Sequence, residues 1–252
     1  MRKYVHAIVT LALLAALAVG NTGCGGAVAA YNNRDLTVQA KMSDTVFLDP
    51  ATMEKNRKVY LRFTNTSDFQ EVNIGDLLRA RLAEHGYKLV KKPGEAQYIL
   101  QANLLYLGEK KEKLTMEGML SGGFGGGLLG SAVASNHSVA GGTIGALAGA
   151  AAGAALGAMI HVDEYLGALD IQIQEPVKGG VKGKRVVSKY DSTIGKDTGT
   201  SGNTLETDFR SDRYDHRTRI VVSAVQTNID RQIAVKEIAG RLATQVGGIF
   251  AN

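Results

Sequence analysis

Residues 118–162 read GMLSGGFGGGLLGSAVASNHSVAGGTIGALAGAAAGAALGAMIHV and contain no Lys, Arg, Asp or Glu. Within this stretch, glycines recur at a spacing of four in two series. They are Gly118, Gly122, Gly126 and Gly130 in the first series, and Gly141, Gly145, Gly149, Gly153 and Gly157 in the second. Positions four apart fall on nearly the same face of an α-helix, where small residues let two helix backbones approach closely. The spacing is therefore typical of helices packed together in lipid or in an oligomer.

We call residues 118–162 the glycine-rich segment, and its length favours a helical hairpin. Residues 118–135 and 139–160 each approach the roughly 20 residues that cross a hydrocarbon core of about 30 Å. The polar turn Asn136-His137-Ser138 separates them. Because glycine costs about 1 kcal/mol relative to alanine inside a helix, a solvated helix gains nothing from this pattern. We predict a glycine-zipper hairpin, embedded in a membrane or packed in an oligomer. The alternatives are a flexible Gly/Ala linker and a hairpin buried in a soluble protein.

Residues 1–23 have the pattern of an export signal. Arg2 and Lys3 form a basic start, and residues 7–19 form an apolar stretch too short for an ordinary spanning helix. Gly23-Cys24 then resembles the end of a bacterial lipobox, in which the cysteine is acylated and becomes the first mature residue. Asn21 departs from the apolar residue that is usual three positions before that cysteine.

Two cleavage sites are compatible with this signal. Ordinary secretory cleavage after residues 18–20 would leave Cys24 as a lone thiol in an oxidising compartment. We therefore predict lipidation of Cys24, with the covalent lipid as the chain's attached group and no other cofactor. A lipoprotein cysteine carries three acyl chains, and stable anchoring takes more than one. Gly25 stands where inner-membrane lipoproteins commonly have aspartate, so the resemblance to lipoprotein sorting rules predicts the outer membrane.

Composition excludes several classes of protein. Removal of Arg2 and Lys3 with the signal lowers the formal net charge from +5 to +3, which is too mild and dispersed for a nucleic-acid binder. The chain of 252 residues has one cysteine and no tryptophan, which argues against a disulfide scaffold and an aromatic stacking platform. The length leaves room for one ordinary domain beside the hairpin.

Outside the glycine-rich segment the pattern predicts an α+β fold, a single sheet-and-helix globular domain with the hairpin inserted into it. A lipidated tether at 24–33 precedes the first half at 34–117, and the second half is 163–252. Alternation predicts strands at 36–42, 59–63, 87–90, 98–104, 167–174 and 217–226, and apolar spacing predicts helices at 74–86 and 229–246.

The two halves are expected to form one sheet, with the ends of the hairpin close together. The polar stretch 179–216 is predicted to be loop, apart from 184–190, which has strand character.

Short matches to catalytic and cofactor-binding motifs lack the neighbouring residues that those motifs require. Residues 125–130 match GxGxxG, but no strand precedes them and no acidic residue follows before Asp163, so the match reflects glycine abundance. Residues 179–184 lack the spacing and the Ser or Thr of a phosphate loop. The five histidines have no zinc-ligand spacing, and no GxSxG element is present. The alternating acidic and arginine residues at 208–219 are typical of a solvated charged loop. We predict a protein that is not an enzyme and holds no metal.

Several short blocks resemble one family. They are RDLTVQ (34–39), KMSDTVFLDP (41–50), NTSD (65–68), GYKLV (86–90), QANL (101–104) and TRIVVSA (218–224). With the glycine-alanine segment in the corresponding place, the whole mature chain resembles the TraT family, the surface-exclusion lipoproteins of conjugative plasmids.

This resemblance implies an oligomeric outer-membrane lipoprotein, partly surface-exposed, that reduces mating with donors of related plasmids and is associated with complement resistance. Its implied partners are outer-membrane lipid, further copies of the chain, and an outer-membrane receptor or mating-pair components. We expect donor specificity in exposed segments, namely the turn Asn136-His137-Ser138 and the loop at 198–215. The alternatives are a structural glycine-zipper envelope lipoprotein, a secretion-channel subunit like the curli-secretion lipoprotein, and a periplasmic hydrolase of unknown chemistry.

Overall fold

The computed structural model describes residues 24–111, 114–126, 128, 161–189 and 203–251. Six strands form one mixed sheet there: β1 Thr37–Met42, β2 Lys58–Asn65, β3 Lys88–Leu89, β4 Tyr98–Glu109, β5 Val162–Lys189 and β6 Asn203–Thr227. The helices are α1 Cys24–Asn32, α2 Pro50–Lys55, α3 Ile74–Glu84, α4 Met116–Ser121 and α5 Arg231–Ile249, with a 3₁₀ turn at Pro93–Glu95. The α+β class predicted from the sequence is confirmed.

The sheet has the strand order β1-β6-β5-β4-β2-β3. The strand β2 is parallel to β3 and β4, and the other neighbours are antiparallel. Leu104 in β4 lies opposite Leu169 in β5, so strands from before and after the glycine-rich segment are adjacent. This pairing confirms the expectation that both parts of the chain contribute to one sheet.

One face of the sheet, which we call the inner face, carries the main core. Alternate residues of β4 point to it and are fully or nearly fully buried, among them Leu100 and Leu104. The long helix α5 covers this face with buried side chains that include Ile238 and Leu242, and α3 packs beside it. The described residues cover only part of the opposite face, which we call the outer face.

Local signals end the helix α3 where the sequence predicted. Gly86 has φ +79°, a left-handed conformation that costs a glycine little. The Gly86 amide donates to the Ala83 carbonyl at 2.9 Å, and the Tyr87 amide donates to the Leu82 carbonyl at 3.0 Å. These two bonds form a Schellman motif, which satisfies carbonyls that have no partner inside the helix.

The polar stretch 179–216 differs from the prediction. The strands β5 and β6 continue past the end of the sheet as a two-stranded hairpin extension, in which Val181 lies opposite Ser211 and Lys189 opposite Asn203. We call residues 177–189 and 203–212 the ribbon. The loop prediction is wrong at 179–183 and 203–216, whereas the strand character predicted at 184–190 is confirmed as far as Lys189. A two-stranded ribbon needs no buried face, so its strands carry no apolar alternation by which the sequence would reveal them.

The first glycine series does not form one continuous helix. The helix α4 ends at Ser121, Gly122 is its C-cap, and Gly123 and Gly125 have φ +57° and +72°. The prediction that Gly118, Gly122 and Gly126 share one helical face is therefore wrong. Glycine is the poorest helix former after proline and adopts left-handed conformations at low cost, so the chain turns here.

Across the ranges that the structure describes, no helix combines the length and the apolar character needed to cross a bilayer. Gly130, the second glycine series and the turn Asn136-His137-Ser138 lie outside the described residues. The signal at 1–23 lies outside them as well. The hairpin and its membrane embedding therefore stay predictions.

Candidate functional site at the root of the glycine-rich segment

The short helix α4 lies on the outer face of the sheet. Its buried residues Met116 and Met119 pack on a small apolar cluster formed by Tyr106, Leu166 and Val221. The Thr115 hydroxyl caps the helix by accepting from the Gly118 amide at 3.0 Å. This packing fixes the first residues of the glycine-rich segment on the sheet.

A buried ion pair lies beside α4. The Arg219 side chain in β6 is 0% exposed, and the Asp170 side chain in β5 is 6% exposed. The guanidinium Nε donates to Asp170 Oδ1 at 2.6 Å, and Nη2 donates to Oδ2 at 3.1 Å. The pair is therefore bidentate, the strongest geometry available to an arginine and a carboxylate.

The same two side chains bind the backbone of the glycine-rich segment. Arg219 Nη1 donates to the Met119 carbonyl at 2.9 Å, and Nη2 donates to the Gly126 carbonyl at 2.8 Å. The Gly125 amide donates to Asp170 Oδ2 at 2.8 Å. A buried pair is costly to desolvate unless further hydrogen bonds satisfy it, and these three backbone contacts satisfy it. We call Met119, Gly125 and Gly126 with this pair the root clamp.

Sequence reasoning missed the root clamp. The sequence analysis placed Arg219 in the block TRIVVSA and in a solvated charged loop at 208–219, and Asp170 only in a strand. The loop prediction is wrong for Arg219, which lies in β6 with a fully buried side chain. One signal was available, because Asp170 follows the apolar run LGAL and precedes Ile171 in a strand with buried residues on both sides. A carboxylate in such a position needs a partner, but the sequence does not reveal which cation supplies it.

An open polar cleft of about 480 Å³ lies between the root clamp and the sheet. Phe124 and Gly125 form one side, and Arg62, Gln101 and Gln172 line its floor. These three side chains stand in one row across β2, β4 and β5, since Arg62 pairs with Gln101 and Gln101 with Gln172. The row offers hydrogen-bond donors and acceptors.

Charged side chains near the ribbon hold loops in place. Glu175 Oε1 accepts from the Asp49 amide at 3.0 Å, and Glu175 Oε2 lies 3.0 Å from His216 Nε2. Arg213 donates to the Ala96 and Gln97 carbonyls, both at 2.8 Å, and burial lowers the pKa of its guanidinium. These contacts tie β5 and β6 to neighbouring loops and supply no nucleophile.

The described part of the chain contains no candidate metal site. Within those ranges no three His, Cys, Asp or Glu side chains come close enough together to hold a metal ion. His85 is the C-cap of α3, and His161 lies 3.2 Å from Asp163.

The structure places the other predicted site residues as follows. Cys24 is the first residue of α1. Gly118 lies within α4, Gly122 caps it, and Gly126 contributes its carbonyl to the root clamp. Of the expected specificity loop at 198–215, residues 203–215 belong to β6 and residues 198–202 lie outside the described ranges.

Comparison with known proteins gives a consistent family. The family model described as Enterobacterial TraT complement resistance protein matches residues 35–250. A TraT complement resistance protein of Escherichia coli is 31% identical over 236 residues, covering 91% of this chain and 92% of its own. Its counterpart in Escherichia coli strain K12 is 29% identical over 235 residues, covering 91% and 92%.

A more distant relative matches only part of the chain. A TraT complement resistance protein of Wigglesworthia glossinidia brevipalpis is 30% identical over 89 residues, covering 35% of this chain and 36% of its own. The matched range 35–250 includes the six described strands and the root clamp, and of the described helices it leaves out α1. The chain belongs to the TraT complement resistance protein family.

Proposed function

We propose that this protein is a non-enzymatic, lipid-anchored protein of the outer membrane that protects its cell against complement and excludes donors of related conjugative plasmids. The observation that carries the proposal is the likeness to proteins named TraT complement resistance protein, which extends over 91% of the chain. A likeness of that extent includes the sheet, both main helices and the root of the glycine-rich segment. The likeness therefore extends over the whole folded part of the chain and is not limited to one motif.

The contacts of the outer-face cleft are compatible with a passive role. Among the described residues that line the outer-face cleft, Asp170 supplies a carboxylate, and this carboxylate is already bound to Arg219. A protein of this kind can act by presenting surface to other molecules. Masking or occupying a receptor needed for stable mating contacts is one such mechanism.

The function is tested by expressing this gene alone in a recipient strain. We expect fewer transconjugants from donors of related plasmids and higher survival in fresh serum than in cells with the empty vector. Heat-inactivated serum is the control for complement. If both readouts equal the vector at matched protein levels, the proposal fails and the structural envelope lipoprotein becomes the better interpretation.

The lipid anchor has its own test because Cys24 is the single cysteine of the chain. We expect the intact mass of the mature protein to equal a chain that starts at Cys24 and carries three acyl chains. Cys24→Ala should abolish that mass and weaken membrane association. An unmodified chain that starts at Asn21 would contradict acylation.

A further inference from the structure

The helix α1 is fixed to one end of the sheet. The Thr227 hydroxyl donates to the Ala30 carbonyl at 2.9 Å, and the Thr227 amide donates to the Asn33 carbonyl at 2.8 Å. Thr227 is the last residue of β6 and pairs with Val162, the first residue of β5. We call this end of the sheet the anchor end.

The chain also re-enters the sheet from the glycine-rich segment at the anchor end. The His161 amide donates to Asn228 Oδ1 at 3.1 Å, and the Asn228 amide donates to the His161 carbonyl at 2.9 Å. The residue predicted to be acylated therefore begins a helix at the same end where the apolar stretch leads into β5. The helix that follows the predicted acylation site and the end of the glycine-rich segment, which is predicted to be embedded in a membrane, therefore lie close together.

The helix α1 exposes large apolar side chains. Val28 is 55% exposed and Tyr31 is 66% exposed. The sequence of the helix, CGGAVAAYN, contains no charged residue. The Arg34 guanidinium lies 4.7 Å from the centre of the Tyr31 ring. Tyrosine beside a cation is typical of the layer between lipid tails and headgroups, where the ring meets both media.

Exposure alone does not decide which end of the molecule meets lipid. Phe47, which follows β1, is 80% exposed, and Tyr214, which lies in β6 next to the ribbon, is 49% exposed. The opposite end of the sheet therefore also exposes large apolar side chains. What distinguishes the anchor end is Cys24. A helix that starts at an acylated residue has its first turn held at the bilayer, and its apolar side chains then have lipid as their nearest apolar medium.

We propose that α1 lies in the interfacial layer of the bilayer with Val28 and Tyr31 in contact with lipid, so that the anchor end of the sheet faces the membrane. The ribbon then points away from the bilayer, because it extends β5 and β6 past the opposite end. This inference rests on the proposed acylation of Cys24. It deepens the proposed function by assigning the ribbon to the side that meets other molecules.

The chain contains no tryptophan, so single tryptophan variants report one position each. The test uses the full mature lipoprotein with Tyr31→Trp, reconstituted in vesicles of phosphatidylethanolamine and phosphatidylglycerol with brominated or ordinary acyl chains. Phe47→Trp is the matched control, since Phe47 follows β1 at the end opposite α1. The six residues of β1 separate the two ends by about 20 Å.

We expect brominated lipid to reduce the emission of the Tyr31→Trp variant by about twofold or more and to leave the Phe47→Trp variant unchanged. A second reporter, Val28→Trp, covers the case that the first variant folds poorly. The proposal is overturned if brominated lipid quenches neither α1 variant, or if it quenches the Phe47→Trp variant as strongly as the α1 variants. Blue-shifted but unquenched emission also overturns it, because a second copy of the chain then covers α1.

The same samples distinguish a failure of this proposal from a failure of the proposed acylation of Cys24. Intact mass reports whether Cys24 is acylated. An acylated chain with unquenched α1 reporters refutes the membrane-facing helix and leaves the anchor standing. An unacylated chain with quenched α1 reporters refutes the anchor and supports the lipid contact of α1.

Discussion

Arg219 and Asp170 lie opposite each other on neighbouring strands and together bind three backbone groups of the glycine-rich segment. Each partner is buried, so neither can exchange its contact for water. The glycine-rich segment therefore starts from a fixed point on the outer face. Its departure from the sheet depends on two side chains that sequence motifs do not reveal.

Removing one partner of this pair should destabilise the fold strongly. Arg219→Met leaves the Asp170 carboxylate buried and unpaired, which we expect to cost about 3–5 kcal/mol in the free energy of unfolding. Urea denaturation measures this value. Arg217→Met is the matched control on the same strand, because Arg217 is 47% exposed and its pair with Asp215 is worth at most about 1 kcal/mol. If both variants lose the same free energy of unfolding, the root clamp contributes no more to stability than an exposed ion pair.

The close approach of α5 to β5 depends on Gly167. A Cβ at this position would overlap Ile238 Cγ2 and lie 3.4 Å from Leu242 Cδ1. We expect Gly167→Ala to lower the free energy of unfolding by about 1–3 kcal/mol. Gly240→Ala in α5 is the control, since no heavy atom lies within 4 Å and the change should stabilise the helix by about 1 kcal/mol. A neutral Gly167→Ala would mean that α5 shifts freely.

The contact between Lys41 and Glu117 should be visible in a titration. The Lys41 ammonium donates to Glu117 Oε1 at 3.0 Å, and this hydrogen bond is the main cause that lowers the pKa of Glu117 below 4.5. We expect Lys41→Ala to raise the pKa of Glu117 toward 4.5, as measured by NMR of its side-chain carboxyl. Lys58→Ala is the control, and an unchanged Glu117 pKa in Lys41→Ala would contradict the contact.

The pH dependence of stability from this pair has a definite sign. Because the pKa of Glu117 is lower in the folded than in the unfolded chain, the pair stabilises the fold above the unfolded pKa. Its contribution is lost as the pH falls through the folded pKa. The Glu117 side chain is 73% exposed, so the loss should stay below about 1 kcal/mol.

Larger side chains in the second glycine series test whether this series mediates assembly. Gly149→Leu or Gly153→Leu inserts a large side chain where helix backbones are predicted to touch, and overpacking opposes such a contact. We expect smaller species on unboiled gels of detergent extracts. Gly94→Leu is the matched control, because a Cβ at Gly94 meets no heavy atom within 4 Å. Unchanged assembly in both test variants would place the subunit contact on the folded body.

Donor specificity is tested by exchanging segments with a related plasmid's protein. We expect an exchange of residues 136–138 or 198–215 to change which donors are excluded, at equal protein level and assembly. The second range includes β6 residues of the ribbon, so it should be exchanged together with its paired β5 residues. If neither exchange alters donor preference, exclusion is non-specific or is carried by other surfaces.

Much of the fold was predictable because its signals are local. The alternation at 36–42 and 98–104 anticipated β1 and most of β4, and the apolar spacing from Ile74 anticipated α3. Gly86 ended that helix as expected, since only two hydrogen bonds and one left-handed residue are needed. Signals of this kind act over a few residues, so the sequence carries them directly.

The root clamp and the ribbon could not be read in the same way. Asp170 and Arg219 are 49 residues apart, and only the pairing of β5 with β6 sets them opposite each other. The glycines at 122–126 have the spacing of a helical series, yet the Gly125 amide and the Gly126 carbonyl bind these two side chains.

The α+β class, the positions of most strands and helices and the family to which the chain belongs follow from the amino-acid sequence alone, and the acylation of Cys24 stays a prediction from it. The tertiary structure decided the strand order, the root clamp, the length of the ribbon and the meeting of α1 with the start of β5. The reason is physical. Propensity and capping act between near neighbours, whereas strand register and buried ion pairs join residues that only the folded chain brings together.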